Sequence, residues 1–408
     1  MDNADLASPE FLAHRLRRVL HLLRTHAEDI RTAPVGDTRA DRAACDTVLL
    51  CAKLSRNAHL EGEEGVDALL DAAEARLRSD AMVANLVWRP GLVPCLAMAT
   101  TLLNELGRGD PRFDVLPHAA WDTSFRESSE KRPHQVLEAR WSARQSGAGD
   151  DLRIPDTSLL LRKPFAPMAE AADLSAYARS IYCVTDFGRD PLPAKPLPRD
   201  VWDVLDASVT WTLFAGDSER LAELLLAAVY AGMPPTPAFR ASLCALLVAW
   251  DDRGYVARRG AGGDEHDATT LFFEVCRGNT LAALLCSELM KRKFHWPLLS
   301  GSGECREAEE LLASAIGPDA ARRVAAQVGS SSMQVLEGDL LVARGFARRD
   351  MDDIWKSLRS GSATWAIRCA AEWLAMVKSV AEVTRRTDQA FAATGSQPAA
   401  TGCGAGVA

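Results

Sequence analysis

The sequence predicts an all-α fold of stacked helical hairpins, an α/α solenoid or an α/α toroid-like ring. Three observations carry that prediction. Apolar residues return at three- and four-residue spacing along most of the chain, no stretch alternates as a strand does, and Pro and Gly divide the periodic segments into pairs.

The first element is "PEFLAHRLRRVLHLLRTHAEDI", where Phe11, Leu12, Leu16, Val19, Leu20 and Leu23 form one apolar face. Ser8 supplies an N-cap and Pro9 occupies the first turn, where a missing N–H costs nothing. Helical periodicity continues through "CDTVLLCAKLSRNAH", "GVDALLDAAEARLRSD" and "VPCLAMATTLLNELGRGD", the last closed by Gly107 and Gly109. This N-terminal helical region spans 1–110. The pattern then lapses into polar, Trp- and Pro-bearing sequence, so 111–167 reads as an irregular insert or lid.

A further helix within 168–190 ends in "VTDFG". The stretch at 191–200, "PLPAKPLPRD", reads as a stiff extended linker and marks the main boundary. Helical hairpins fill 201–387. In "DSERLAELLLAAVYAGMPPTPAFRASLCALLVAWDDRGYV", Asp217 or Ser218 caps one helix, "GMPPTP" turns the chain, and a second helix runs to Trp250 before Gly254 ends it. Comparable pairs are expected over Leu271–Met290, Glu304–Gln327 and Met351–Arg385. Residues 388–408 are small and unpatterned, which predicts a disordered tail.

The chain has 408 residues, 48% hydrophobic and 25% charged, enough for a sizeable core and pocket. No apolar stretch reaches the roughly 18 residues of a membrane span. The acidic N-terminus lacks the pattern of a signal peptide, so a cytoplasmic location is expected. Ten cysteines are scattered singly, without a CxxC pair, and read as reduced thiols in the core. A net charge of −8 argues against nucleic acid as a partner.

The tripeptide Asp186-Phe187-Gly188 is the magnesium-holding motif of protein kinases, yet the glycine-rich loop, the strand lysine and the His-Arg-Asp loop are absent. Its structural reading is a buried helix lined by Leu174, Ile181, Tyr182, Val184 and Phe187, stopped by Gly188, with Asp186 held near the end. The stretch Ala176–Gly188, "AYARSIYCVTDFG", resembles the signature of an uncharacterised, mainly actinobacterial family of helical proteins that carry Thr-Asp-Phe-Gly after an aromatic helix. That resemblance implies a Thr-His pair where this chain has Ala178 and Arg179, and a Tyr-His-Thr-Thr near the later "CRGNT" (276–280). It therefore implies the fold and not an identical site chemistry.

Asp350, Asp352 and Asp353 in "RRDMDDIW" spell the Asp-x-Asp-Asp of class II terpene cyclases, where the middle carboxyl, here Asp352, donates a proton inside an aromatic cavity. The same residues fit an exposed N-cap with an acidic first turn. The magnesium triad of the other terpene synthases fails at Ala283 and Ser287, which leaves Asp251 and Asp252 to finish a hairpin. Asp264, Glu265, His266 and Asp267 share a glycine-rich loop without EF-hand or HExxH spacing, so no metal or other cofactor is expected. His295 beside Trp296 reads as a packed pair, and Ser300 and Ser302 lack a nucleophile elbow. His118 and His134 are the histidines to watch if the insert is a lid. Cys183 and Cys276 sit in apolar helices, where burial suppresses thiol reactivity.

These readings lead to a helical accessory or tailoring protein of bacterial specialised metabolism, its small-molecule cavity centred on Asp186 and Arg179 and shaped by Tyr182, Trp211 and Trp250. The alternatives are a helical-repeat scaffold binding a partner protein and a cyclase acting through Asp352.

Overall fold

A computed structural model of the chain describes residues 8–56, 65–121, 131–145, 152–256, 267–292, 305–360 and 364–394. Among them are eighteen α-helices and no strand. The first eight are α1 Pro9–Thr25, α2 Ala27–Thr32, α3 Thr38–Ser55, α4 Val66–Leu77, α5 Asp80–Trp88, α6 Val93–Glu105, α7 Pro111–Trp121 and α8 Pro133–Gln145. Then come α9 Ala171–Val184, α10 Pro198–Ala215, α11 Ser218–Tyr230, α12 Pro237–Arg253 and α13 Ala268–Lys291. The last five are α14 Arg306–Ile316, α15 Pro318–Val328, α16 Ser330–Arg348, α17 Met351–Arg359 and α18 Trp365–Thr394.

The expected caps and stops at Ser8, Asp217 and Gly254 form, and Thr236 adds another cap. Ser8 accepts the Phe11 N–H at 3.3 Å to start α1, Asp217 caps α11, and Thr236 accepts the Phe239 N–H at 3.0 Å to start α12. Gly254, with φ 79°, stops α12 in the left-handed region that favours glycine.

Six helices close a ring. α3 packs on α6, α6 on α8, α8 on α9, α9 on α11, α11 on α13, and α13 returns to α3. These six run parallel, because residues from the earlier parts of the helices converge at one level and residues from the later parts at the other. The chain between them returns on the outside: α4 lies against α3, α7 against α6, and α10 and α12 against α11. Of the two architectures the periodicity allowed, the ring is the one formed. α14–α16 pack onto α10 and α12, and α17 and α18 onto α16.

The structure departs from the sequence reading at four places. Residues 111–167 are not irregular throughout, since they contain α7 and α8 as well as two single 3-10 turns. The proline-rich stretch does not separate two cores: α9 packs on α11 across it, and one apolar cluster runs from Leu12 to Leu341. Leu271–Met290 is no hairpin but the body of one 24-residue helix, α13. Gly278 survives inside it because a Cβ there would lie 2.7 Å from the Val256 carbonyl oxygen, so the glycine permits a close approach and does not break the helix. Lastly, α18 continues to Thr394, past the expected start of the tail, and 395–408 lie outside the described residues.

No described helix is long and apolar enough to cross a membrane.

Candidate functional site

Where the earlier parts of the ring helices converge, polar groups replace the apolar core. Glu223 on α11 is only 4% exposed, and its carboxylate accepts Arg277 Nη2 of α13 at 2.9 Å and the Ser175 hydroxyl of α9 at 2.5 Å. Arg179 on α9 stands 3.7 Å from Glu223 and 3.8 Å from Glu138 of α8. Arg277 also lies 3.5 Å from Glu219 and 4.0 Å from Asp46 of α3. Cys95 of α6 feels the charges of Asp46, Glu138 and Arg179. Asp46, Glu138, Arg179 and Arg277 keep 18, 22, 38 and 33% of their side chains exposed, so water reaches this polar end of the ring, the basin.

Electrostatics divides the basin's acids. Burial pushes the Asp46 and Glu138 carboxyls above their ordinary range, against the opposing pull of Arg277 and Arg179. Burial acts in the same sense on Glu223, but Arg277, Arg179 and Ser175 outweigh it and hold that carboxyl below its ordinary range. His134, half-buried early in α8, is driven down to about 4 by burial and then by Arg179 and Arg132, so its imidazole is neutral at pH 7.

Asp186 belongs to the other end of the ring. Helix α9 stops in three consecutive left-handed residues, Asp186 at φ 45°, Phe187 at 54° and Gly188 at 80°. Two of them are not glycine, and each such residue costs of order 1–3 kcal/mol that its surroundings must offset. The Phe187 N–H reaches back to the Tyr182 carbonyl at 2.7 Å, and the Lys53 ammonium of α3 donates to the Phe187 carbonyl. One carboxylate oxygen of Asp186 accepts both Trp141 Nε1 at 2.9 Å and Gln145 Nε2 at 3.0 Å, while Arg189 pairs with the other at 3.3 Å. The Phe187 ring meets Trp141 edge-on with centroids 5.1 Å apart, and Tyr182 and Tyr230 close around it. Thr-Asp-Phe-Gly is thus a locked helix terminus, in agreement with the structural reading of those residues.

Residues 16–287 match the family described as a domain of unknown function, DUF6895. The chain belongs to that family. No curated protein and no solved structure matches it. The DUF6895 match covers five of the six ring helices whole and α13 as far as Ser287, together with the basin and the Thr-Asp-Phe-Gly turn.

Within this DUF6895 chain, Arg179 and Asp186 do not form one centre. Arg179 faces the basin and Asp186 faces the turn, with α8 serving both through Glu138 on one side and Trp141 and Gln145 on the other. Tyr182 separates them: its hydroxyl donates to the Glu223 carbonyl at 2.6 Å and its ring packs on Phe187 and Tyr230. Trp211 on α10 packs against the main core. Trp250 lines a different cavity, about 600 Å³ between α1, α12 and α13, which Tyr255 also lines.

Asp352 is exposed in the first turn of α17, not enclosed by aromatic rings as a proton donor to an alkene must be. Asp350 caps that helix through the Asp352 N–H at 2.9 Å, and Asp353 is the buried one, held by two 2.5 Å bonds from Arg344. Asp251 and Asp252 pair with Arg15 and Arg323 at 2.8 Å each. Asp267 caps α13, whereas Asp264, Glu265, His266, His295, Trp296, Ser300 and Ser302 lie outside the described residues, as does the side chain of His118. Burial raises the thiols of Cys183 and Cys276, and the nine described cysteines are free. Among the described residues no three His, Cys, Asp or Glu are placed to hold a metal ion.

The sequence reading missed Asp46, Glu138, Glu223 and Arg277. A signal was present: each interrupts an apolar helical run, as in "LAELLLAAVY" and "EVCRGNTLAALL", and charged residues are seldom buried unless paired.

Proposed function

We propose that the basin holds a small polar molecule bearing a carboxylate or phosphate, taken up by Arg179 beside the carboxyls of Glu138 and Asp46. One observation carries the reading: Arg179 stands between acids of α8 and α11 that are 3.8 and 3.7 Å away, beyond hydrogen-bond contact. Its fork of N–H donors is open to a ligand, and a guanidinium fork matches a planar oxyanion. Arg277, by contrast, already donates to Glu223 at 2.9 Å and serves to fix that acid. Glu138 and Asp46 carry a proton more readily than an ordinary carboxyl, which equips them to give or take one at a bound acid. Arginines stand at or near the places where the sequence resemblance implied histidines, so the ligand class is this chain's own. The same resemblance supports a role on an intermediate of bacterial specialised metabolism.

The test is ligand-observed NMR with thermal shift, using a panel of small carboxylates and phosphates on wild type and Arg179→Ala. One class binds the wild type and binds Arg179→Ala at least about tenfold more weakly, while the variant without ligand melts within a few degrees of the wild type. A panel without a hit, or a hit indifferent to Arg179, overturns the proposal. Comparing metabolites of the source strain with and without the gene then names the intermediate.

A second reading, a scaffold for a partner protein, draws on α18, where Met376, Val380 and Val383 form an exposed apolar stripe at helical spacing. A stoichiometric complex lost in Val380→Glu supports it, and retention of that complex by the variant argues against it.

A further inference from the structure

The opposite end of the ring carries a second cleft, about 350 Å³, lined by Lys53, Arg56, Arg189, Ser287, Glu288 and Lys291. Cations at the C-terminal ends of helices are favoured by the peptide dipoles, and that accounts for Arg56 and Lys291, both exposed. It does not account for Lys53, which is 8% exposed and one turn deeper on α3. Its ammonium is anchored by the Phe187 carbonyl and stands 5.3 Å from the centre of the Tyr230 ring. Glu288, 4% exposed, shares the cleft wall. On the far side Glu105 is engaged by both Arg56 and Arg189, and Asp186 by Arg189, so these acids are already paired. A buried amine thus faces a cleft whose other cations are at the rim, an arrangement that serves a nucleophilic lysine.

We propose that this cleft is a second ligand site, in which Lys53 condenses with the carbonyl carbon of a small keto acid or aldehyde acid. The unprotonated Nζ adds to that carbon and forms the C–N bond. The amine proton passes by way of Glu288 to the former carbonyl oxygen, and with one further proton that oxygen leaves as water. An iminium remains, and no electrons are gained or lost. Arg56, Arg189 and Lys291 hold the ligand's carboxylate. A neutral amine still donates one N–H to the Phe187 carbonyl, so the lysine keeps its anchor while its lone pair turns to the cleft. Burial first, then the like charges of Arg56, Arg189 and Lys291 against Glu288, lower Lys53 to about 8, so a useful fraction is unprotonated near neutrality.

The experiment is reductive trapping on the full chain, with pyruvate and sodium cyanoborohydride, followed by peptide mass mapping. Lys53 gains one carboxyethyl group ahead of the exposed Lys163 and Lys356, and its rate climbs as pH passes through about 8. Acetone, which has the ketone without the carboxylate, labels it more slowly, and Lys291→Ala narrows that preference. Lys53→Arg keeps a cation able to reach Phe187 and loses the adduct, which separates the chemistry from the fold. Arg179→Ala labels as the wild type does, so this site stands or falls apart from the basin. Modification of Lys53 no faster than of surface lysines, equal labelling by acetone, or protection by phosphate without any adduct overturns the proposal.

Discussion

Trp141 Nε1 donates to Asp186 Oδ1 at 2.9 Å, and this bond ties α8 to a helix terminus that would otherwise be strained. Gln145 shares the same oxygen at 3.0 Å. Asp186→Ala leaves both donors without their acceptor and costs about 1–3 kcal/mol. Asp186→Asn keeps an acceptor oxygen and loses mainly the Arg189 pair, so it costs clearly less. Chemical denaturation of the two variants measures the difference, and equal losses would show that the charge, not the acceptor, holds the turn.

Gly188 faces Tyr230 so closely that a Cβ would lie 2.3 Å from the ring, at φ 80°. Gly188→Ala therefore meets a clash and an unfavourable backbone region together. A loss of about 2–4 kcal/mol follows. Thermal melting tests it, with Gly216→Ala as the control: φ is 70° there, but nothing lies within 4 Å.

The two ends of the Arg179–Glu223 pair differ in what they hold. Glu223→Ala strips a buried acid from Arg277 and Ser175 and costs about 3–5 kcal/mol. Arg179→Ala removes a partly exposed cation with long contacts and costs about 1 kcal/mol or less. Equilibrium unfolding of both variants checks the ordering.

Two carboxyls near each other are raised from an ordinary 3.8: Asp206 on α10, half-buried, to about 6 by burial with Asp203 adding, and the buried Asp339 on α16 to about 7 by burial and then by Asp206. Between about pH 4 and 7 the folded chain keeps protons that the unfolded chain has released, so this pair's contribution to stability falls as pH rises through that window. Asp339→Asn, which retains an acceptor for Thr364, gains about 1–2 kcal/mol at pH 8 relative to wild type. At pH 4 the gain vanishes. Melting curves at the two pH values decide it.

Asp352 and Asp353 separate in the same way. Asp352→Asn changes stability by no more than about 0.5 kcal/mol, whereas Asp353→Asn breaks its paired bonds to Arg344 and costs about 1–3 kcal/mol. Differential scanning calorimetry of the two single variants distinguishes a helix terminus from a cyclase acid, because only the latter would spare stability at both positions.

Helix positions were legible in the sequence because their causes are local. Ser8 with Pro9, Asp217, Thr236 with Pro237, and Gly254 each act within one turn of the backbone. The apolar period of α1 named the residues it buries, Leu12 to Leu23. The locked end of α9 was legible for the same reason, since a Thr-Asp-Phe-Gly after an apolar run announces a left-handed stop. Local signals also misled, over Leu271–Met290 and at the 191–200 prolines, because only contacts from elsewhere decide whether a glycine such as Gly278 breaks a helix or admits a neighbour's carbonyl.

What the sequence by itself determined, then, is an all-helical chain, the caps and stops of helices such as α1, α11 and α12, and the turn that closes α9. What only the tertiary structure decided is that six of those helices run parallel in a ring, which puts Arg179 of α9 and Arg277 of α13 on the same Glu223 and parts Arg179 from Asp186. The physical reason is that a helix's start and stop are set by its own caps and turns, while the partner of a buried charge is set by which distant helix packing brings to it.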